Sequence, residues 1–218
     1  MSDASKLPIL RAALGESLLE VRRQSSYPLH FERLQDDDLV TVDKPVQFGF
    51  SGADGFDLPP TRFASLNCTA AMVVAIDVAL HLEYLPLAQV QPLSAAVVRA
   101  LEAHGWQAQP SDGRVVGPEE LKLRLADPAA SAKSYWYLAS HAKDSARAIV
   151  VLRHAHRAGR MADHDLYMLN VKCRDDVLAD KAMRVAGALR HADGVPEARA
   201  RGISLEPYVE RVRRNWPI

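Results

Sequence analysis

The chain has no net charge of either sign: 27 Lys and Arg are matched by 27 Asp and Glu across 218 residues. A nucleic-acid-binding domain carries a basic excess that neutralises phosphates, so no nucleic-acid partner is expected. Arg211, Arg213 and Arg214 form only a local basic patch. Neutrality also removes long-range repulsion between copies, which leaves room for a partner or for self-association. Cysteine is nearly absent, with Cys68 and Cys173 alone. Two thiols exclude a disulfide framework and point to a reducing compartment. No basic stretch followed by an apolar one opens the sequence, so no secretory signal is expected. The longest apolar run, Ala70 to Leu80, is interrupted by Asp77. It is far short of the roughly 20 residues that a membrane span needs. These absences together predict a cytoplasmic protein with no membrane partner. Gly49-Phe50-Ser51-Gly52 lacks the lysine and helix of a phosphate-binding loop, and no cofactor is expected.

What remains is an ordinary globular composition, 48% hydrophobic and 25% charged. That length favours one domain with appended ends: a terminal amphipathic helix in 1–26, a core in 27–194, and a linker and charged helix in 195–218. Leu7, Leu10, Leu14, Leu18 and Val21 recur at helical spacing and predict a helix over 6–24. Short strands are predicted at 29–34, 39–43 and 46–50. Ala70–Tyr84 is apolar almost all round and reads as a central buried helix. A second helix runs from a Ser94 cap to His104 and stops at Gly105. A hairpin is expected over 106–116 and a short helix over 118–126. Strands at 134–140, 148–154 and 166–172 and helices at 177–191 and 205–216 complete the chain. The expected class is α+β: a mostly antiparallel sheet with a buried central helix. An open parallel α/β sheet is the alternative.

Chemistry concentrates on Cys68. On the reading above, Asn67-Cys68-Thr69-Ala70-Ala71-Met72 puts a thiol on the first turn of the buried helix, where unpaired amides and the helix dipole favour the thiolate. His164, in Asp163-His164-Asp165, opens a strand and is the candidate base. The alternative is that Cys68 is a small core residue, since cysteine is among the most buried residue types. Cys173, on an alternating strand, reads as structural. His154, His156, Asp163, His164 and Asp165 are metal-capable, but the basic turn Arg157–Arg160 would repel a cation and no metal is expected. His30, His81, His104, His141 and His191 read as surface or helix-end residues. Asp77, inside the apolar run, needs a solvated groove or a basic partner. Tyr135-Trp136-Tyr137 is an aromatic strand.

In this order the pieces resemble the papain-fold cysteine peptidases of bacteria, in particular the group similar to bacteriocin-leader peptidases. The resemblance covers roughly residues 60–176: Cys68 to Met72, then Val97–Trp106, then Ala148–Leu152, then His164-Asp165-Leu166-Tyr167, with 96 residues between Cys68 and His164. It implies a papain-like topology and a hydrolase acting on an amide or thioester bond of a peptide or protein substrate. Cys68 would be the nucleophile, His164 the base, and Asp175 or Asp176 the residue that orients the imidazole. Two departures weaken it. Thr69 stands where the family commonly has glycine. Arg62 stands where it has the glutamine of the oxyanion hole, a donor worth about 2.7–4 kcal/mol in the transition state. The alternative function is a non-enzymatic interaction protein: an immunity protein, an inhibitor or an adaptor.

Overall fold

The computed structural model describes residues 7–29, 33–34, 37–42, 44–52, 55–110, 119–121, 123, 135–154, 166–192 and 203–216. Its centre is a seven-stranded sheet, antiparallel throughout, in the order β3-β5-β6-β10-β9-β8-β7. The strands are β3 (Asp37–Val42), β5 (Thr61–Thr69), β6 (Met72–Pro86), β7 (Gln107–Ala108), β8 (Tyr135–Lys143), β9 (Ala146–His154) and β10 (Leu166–Asp175). Two small ladders flank it. β1 (Ile9–Ala12) pairs in parallel with β4 (Gln47–Phe50), and β2 (Arg33–Leu34) pairs with β11 (Ile203–Ser204). The main helices of the described residues are α1 (Leu18–Gln24), α2 (Leu87–Ala103), α3 (Asp176–Ala192) and α4 (Leu205–Asn215). The α+β class and the mostly antiparallel sheet are as the sequence predicts.

The central element differs. Residues 72–86 form the long strand β6, not a buried helix. Along it Ile76, Val78 and Leu80 point to the core, while Ala75, Asp77 and Ala79 alternate with them. Apolar residues on both faces hide that period of two, and the β-branched residues Val73, Val74, Ile76 and Val78 favour a pleated surface over a helix. The turn into β6 is also unmarked. Ala70 and Ala71 both lie at positive φ, 51° and 60°, as a two-residue type I′ hairpin turn requires, without the usual Asn-Gly. Gly15 and Leu18 close over this turn, their amides donating to the carbonyls of Val73 and Ala71 at 2.8 and 2.9 Å.

The predicted first helix is also shorter. Residues 9–12 are strand β1, Gly15 turns the chain at φ +85°, and only then does α1 begin. Its start is a capping box: Ser17 and Glu20 each bond the other's backbone amide. α2 begins at Leu87, earlier than the Ser94 cap, and contains Pro92; Ser94 is buried inside it, on the side of Val90, Val97 and Leu101. α3 is capped by Asp175, whose carboxylate accepts from the Leu178 amide at 2.9 Å. The hairpin partner expected for Gln107–Ala108 at 114–116 lies outside the described residues, and β7 pairs with β8 instead.

The helices gather on one face of the sheet. Val90, Val97 and Leu101 of α2, Ala182, Val185, Ala186 and Leu189 of α3, and Leu205, Val209 and Val212 of α4 share one core with Leu66, Ile76, Val78, Val150, Leu152, Leu169 and Val171. α4 is tied to α1 by Arg22–Glu206 at 2.5 Å and Arg213–Glu20 at 2.6 Å. Among the described residues, no helix is long and apolar enough to cross a membrane.

Candidate functional site

Cys68 does not stand at a helix start. It lies near the end of β5, between Asp38 of β3 and Val73 of β6, beside a register shift. Its side chain faces the core with Ala64 and Leu66 and is 3% exposed. Its Sγ is 3.8 Å from the Leu66 carbonyl. The unpaired amides and the dipole that would favour a thiolate are therefore absent. Cys173 is buried in the middle of the sheet, opposite Ile76 and Ala148. Burial, and after it the charge of Asp77, pushes its thiol up to about 12.

His164 lies outside the described residues, as do His30, His156, Asp163 and Asp165. Leu166, two positions after His164, opens β10 opposite Pro86. Cys68 belongs to the other end of the ladder, where Ala75 pairs with both Asn67 and Arg174. Asp175 lies at that end too, but its carboxylate is engaged. Besides capping α3, it accepts from the Ser145 hydroxyl at 2.7 Å. Asp176 is exposed and pairs with Arg174. The described residues thus bring Cys68 and Asp175 to one end of the sheet, with the Asp175 carboxylate held by Ser145 and the Leu178 amide. Nor do any three or more His, Cys, Asp or Glu among them form a group that could hold a metal ion.

The other face of the sheet is the more informative surface. Ala79, Val151 and Met168 are buried but do not belong to the helix-covered core. They lie on the opposite side of the ladder, with Asp77, Asn170 and Lys172 at its centre. Asp77 and Lys172 are direct cross-strand partners, and their charged atoms meet at 2.9 Å. Asn170 donates to the second Asp77 oxygen at 3.0 Å. That bond fixes the amide orientation and leaves Oδ1 buried with no hydrogen-bond partner among the described residues, in a residue only 2% exposed. The basic partner that Asp77 needs is therefore Lys172. No sequence spacing signals it, because the two residues are 95 positions apart and meet only through the β6–β10 register.

Exposed apolar groups border this face. Leu39 on β3 is 64% exposed at one side, and Tyr135 on β8 is 49% exposed at the other. Tyr135 packs edge-on against Tyr137, with ring centroids 5.5 Å apart. No described helix lies over it. An antiparallel sheet with one solvated face ordinarily alternates apolar inward and polar outward. Here the outward positions are in good part apolar, with one paired charge in the middle.

Two further features escape the sequence reading. His141 is buried, with Nε2 3.4 Å from the Glu102 carboxylate. His81 is buried at positive φ and takes part in the β6–β10 ladder through its ring. Both are strand residues in the structure, and neither carries a local pattern that marks it.

Comparison with family models finds no match, and comparisons with curated proteins and with solved structures find none either.

Proposed function

We propose that this chain is a non-enzymatic interaction protein that binds a protein partner on the face of its seven-stranded sheet that no described helix covers. The observation that carries the reading is the character of that face. Leu39 and Tyr135 present exposed apolar side chains at its two borders, Ala79, Val151 and Met168 are apolar positions buried between them, and Asp77–Lys172–Asn170 places a paired charge at its centre. Apolar contact area gives affinity, and a central charge pair gives register and selectivity. The zero net charge suits a protein partner and offers nothing to a polyanion. Cys68, the candidate nucleophile of the alternative hydrolase reading, faces the core, so that reading has no described group in its favour.

The test compares partner capture by the full chain with capture by two variants, Leu39→Glu and Tyr135→Glu. Both side chains are exposed, so each variant keeps the fold, which the melting temperature verifies. Arg214→Glu on α4 is the control. A partner held by wild type and the control, and lost by both sheet variants, supports the proposal. A partner retained by all four proteins, or no partner at all together with a strictly monomeric chain, overturns it.

A further inference from the structure

His81 stands at the irregularity in the β6–β10 ladder. The register runs regularly from Arg174–Ala75 to Leu169–Leu80, then shifts before Tyr167 meets Leu85. The extra residues are on β6, and His81 takes the left-handed conformation there, φ 55°. Histidine tolerates that region better than most residues, and such a bulge re-aims a side chain. The ring is turned into the ladder. Its Nε2 accepts a hydrogen bond from the Leu169 amide at 3.1 Å, a bond that backbone would otherwise make. Its Nδ1 donates to the Glu83 carbonyl. Both nitrogens are thereby committed: Nδ1 carries the hydrogen and Nε2 must be bare. Only neutral histidine fits.

We propose that His81 is a pH-sensitive latch that holds the end of the β6–β10 ladder, closed when neutral and released by protonation. A proton on Nε2 sets an N–H against the Leu169 N–H, and the ring then leaves the bulge. The rungs beyond it, Tyr167–Leu85 and Leu166–Pro86, and the start of α2 at Leu87 lose their anchor. Burial supports the assignment, because it disfavours the charged ring and outweighs the opposing bond to the Glu83 carbonyl, holding the pKa below the ordinary 6.5. Among the described residues the charged neighbours are few. On β6 Glu83 is exposed. On β5, beside the Thr61 that pairs with His81, Arg62 donates to the Leu82 carbonyl at 3.4 Å, and its guanidinium lies 5.7 Å from the Tyr84 ring. Lys44 lies two residues before Val46, which bridges to Thr61. β10 offers no charged residue from Leu166 to Asn170, only the buried phenol of Tyr167. The latch is independent of what the sheet face binds.

The experiment is residue-resolved amide exchange on the full chain from pH 8 to 5, corrected for intrinsic rates, together with the NMR titration of the His81 ring. The latch predicts that Leu169 protection falls about tenfold per pH unit once the His81 ring begins to protonate, below pH 6.5, while Val171, deeper in the same ladder, stays protected. His81→Gln, whose side-chain oxygen can accept from Leu169 at every pH, is expected to flatten the profile. A Leu169 profile flat in wild type overturns the proposal. So does loss of Leu169 and Val171 protection together, which is global unfolding, or a His81 ring that titrates at or above 6.5. If His81→Gln does not fold, the wild-type profile and ring titration decide alone.

Discussion

Thiol reactivity in the native protein separates the two readings of Cys68 most sharply. Cys173, with its thiol pushed up to about 12, is about one part in ten thousand thiolate at pH 8, against roughly a quarter for an ordinary thiol of pKa 8.5. Ionisation alone therefore slows its alkylation about two-thousand-fold. For Cys68 access is the barrier. Its sulfur is enclosed by β3, β5 and β6 and the core beneath them, so a reagent needs those strands to part. An opening that costs about 5 kcal/mol is populated at about 10⁻⁴, and modification slows by that factor. The assay is iodoacetamide labelling at several pH values with peptide-level mass spectrometry, and Cys68→Ala assigns the label. We expect neither cysteine to be modified at pH 7 on the timescale of a denatured control, and both to be modified at once in denaturant. Cys68 labelled within minutes at pH 7, with a titration midpoint below 8, would refute this and restore an activated nucleophile.

Two predictions concern the elements that frame the sheet. In α1, burial raises the Glu20 carboxyl, but the Ser17 amide and hydroxyl together with Arg213 and Arg23 outweigh it, so the pKa is lowered from 4.5. A depressed carboxylate contributes stability that is present above its unfolded value and lost as pH falls through the folded one. The stability difference between wild type and Glu20→Gln in urea titrations should therefore shrink below pH 4.5, and Ser17→Ala should cost about 1 kcal/mol at neutral pH. At the β5–β6 turn, Ala71→Gly removes a buried methyl worth about 0.8 kcal/mol and relieves left-handed strain of about 1–2 kcal/mol. It should be nearly neutral or stabilising, whereas Ala79→Gly in the strand should cost about 1 kcal/mol. Equal costs in chemical denaturation would show that Ala71 is not at positive φ.

Much of the fold was legible where local rules and burial agree. Gly105 ends α2 at φ +83°, as a helix-stopping glycine does. β9 and β10 read as strands by length and composition, Ala148–Leu152 being a short run apolar throughout, and in the structure Ala148, Val150 and Leu152 pair with alternate residues of β10. The reading fails where such an apolar run is long enough to pass for a helix. In β6 the outward positions hold Ala75 and Ala79, which hydropathy counts with Ile76 and Val78, so a period of two looks like uniform apolarity. β5 is missed with it. Ala64, Leu66 and Cys68 face the core and alternate with Ser65, Asn67 and Thr69, a period of two that the helix expected to begin at Cys68 obscures. The turn between the two strands gives no help, because alanines occupy positions where glycine or asparagine is expected.

That one misread element also decides how the site is read. A cysteine at the head of a buried helix is an activated thiol, but the same cysteine in an inner strand is packing material. The change from helix to strand at residues 72–86 moves the chemical interest from Cys68 to the side chains that β6 sends the other way. Asp77 was the only sequence hint of them, as a charge that interrupts an apolar run. In a helix it would have faced one neighbour or another along the same turn. In a strand it faces Lys172 directly, and Asn170 diagonally, through a register that only the complete ladder defines. His81 follows the same logic, since its partner Leu169 is 88 residues away and is reached only because a bulge turns the ring inward. Local sequence therefore locates the polar residues that a sheet must accommodate, and the register alone names what each is for.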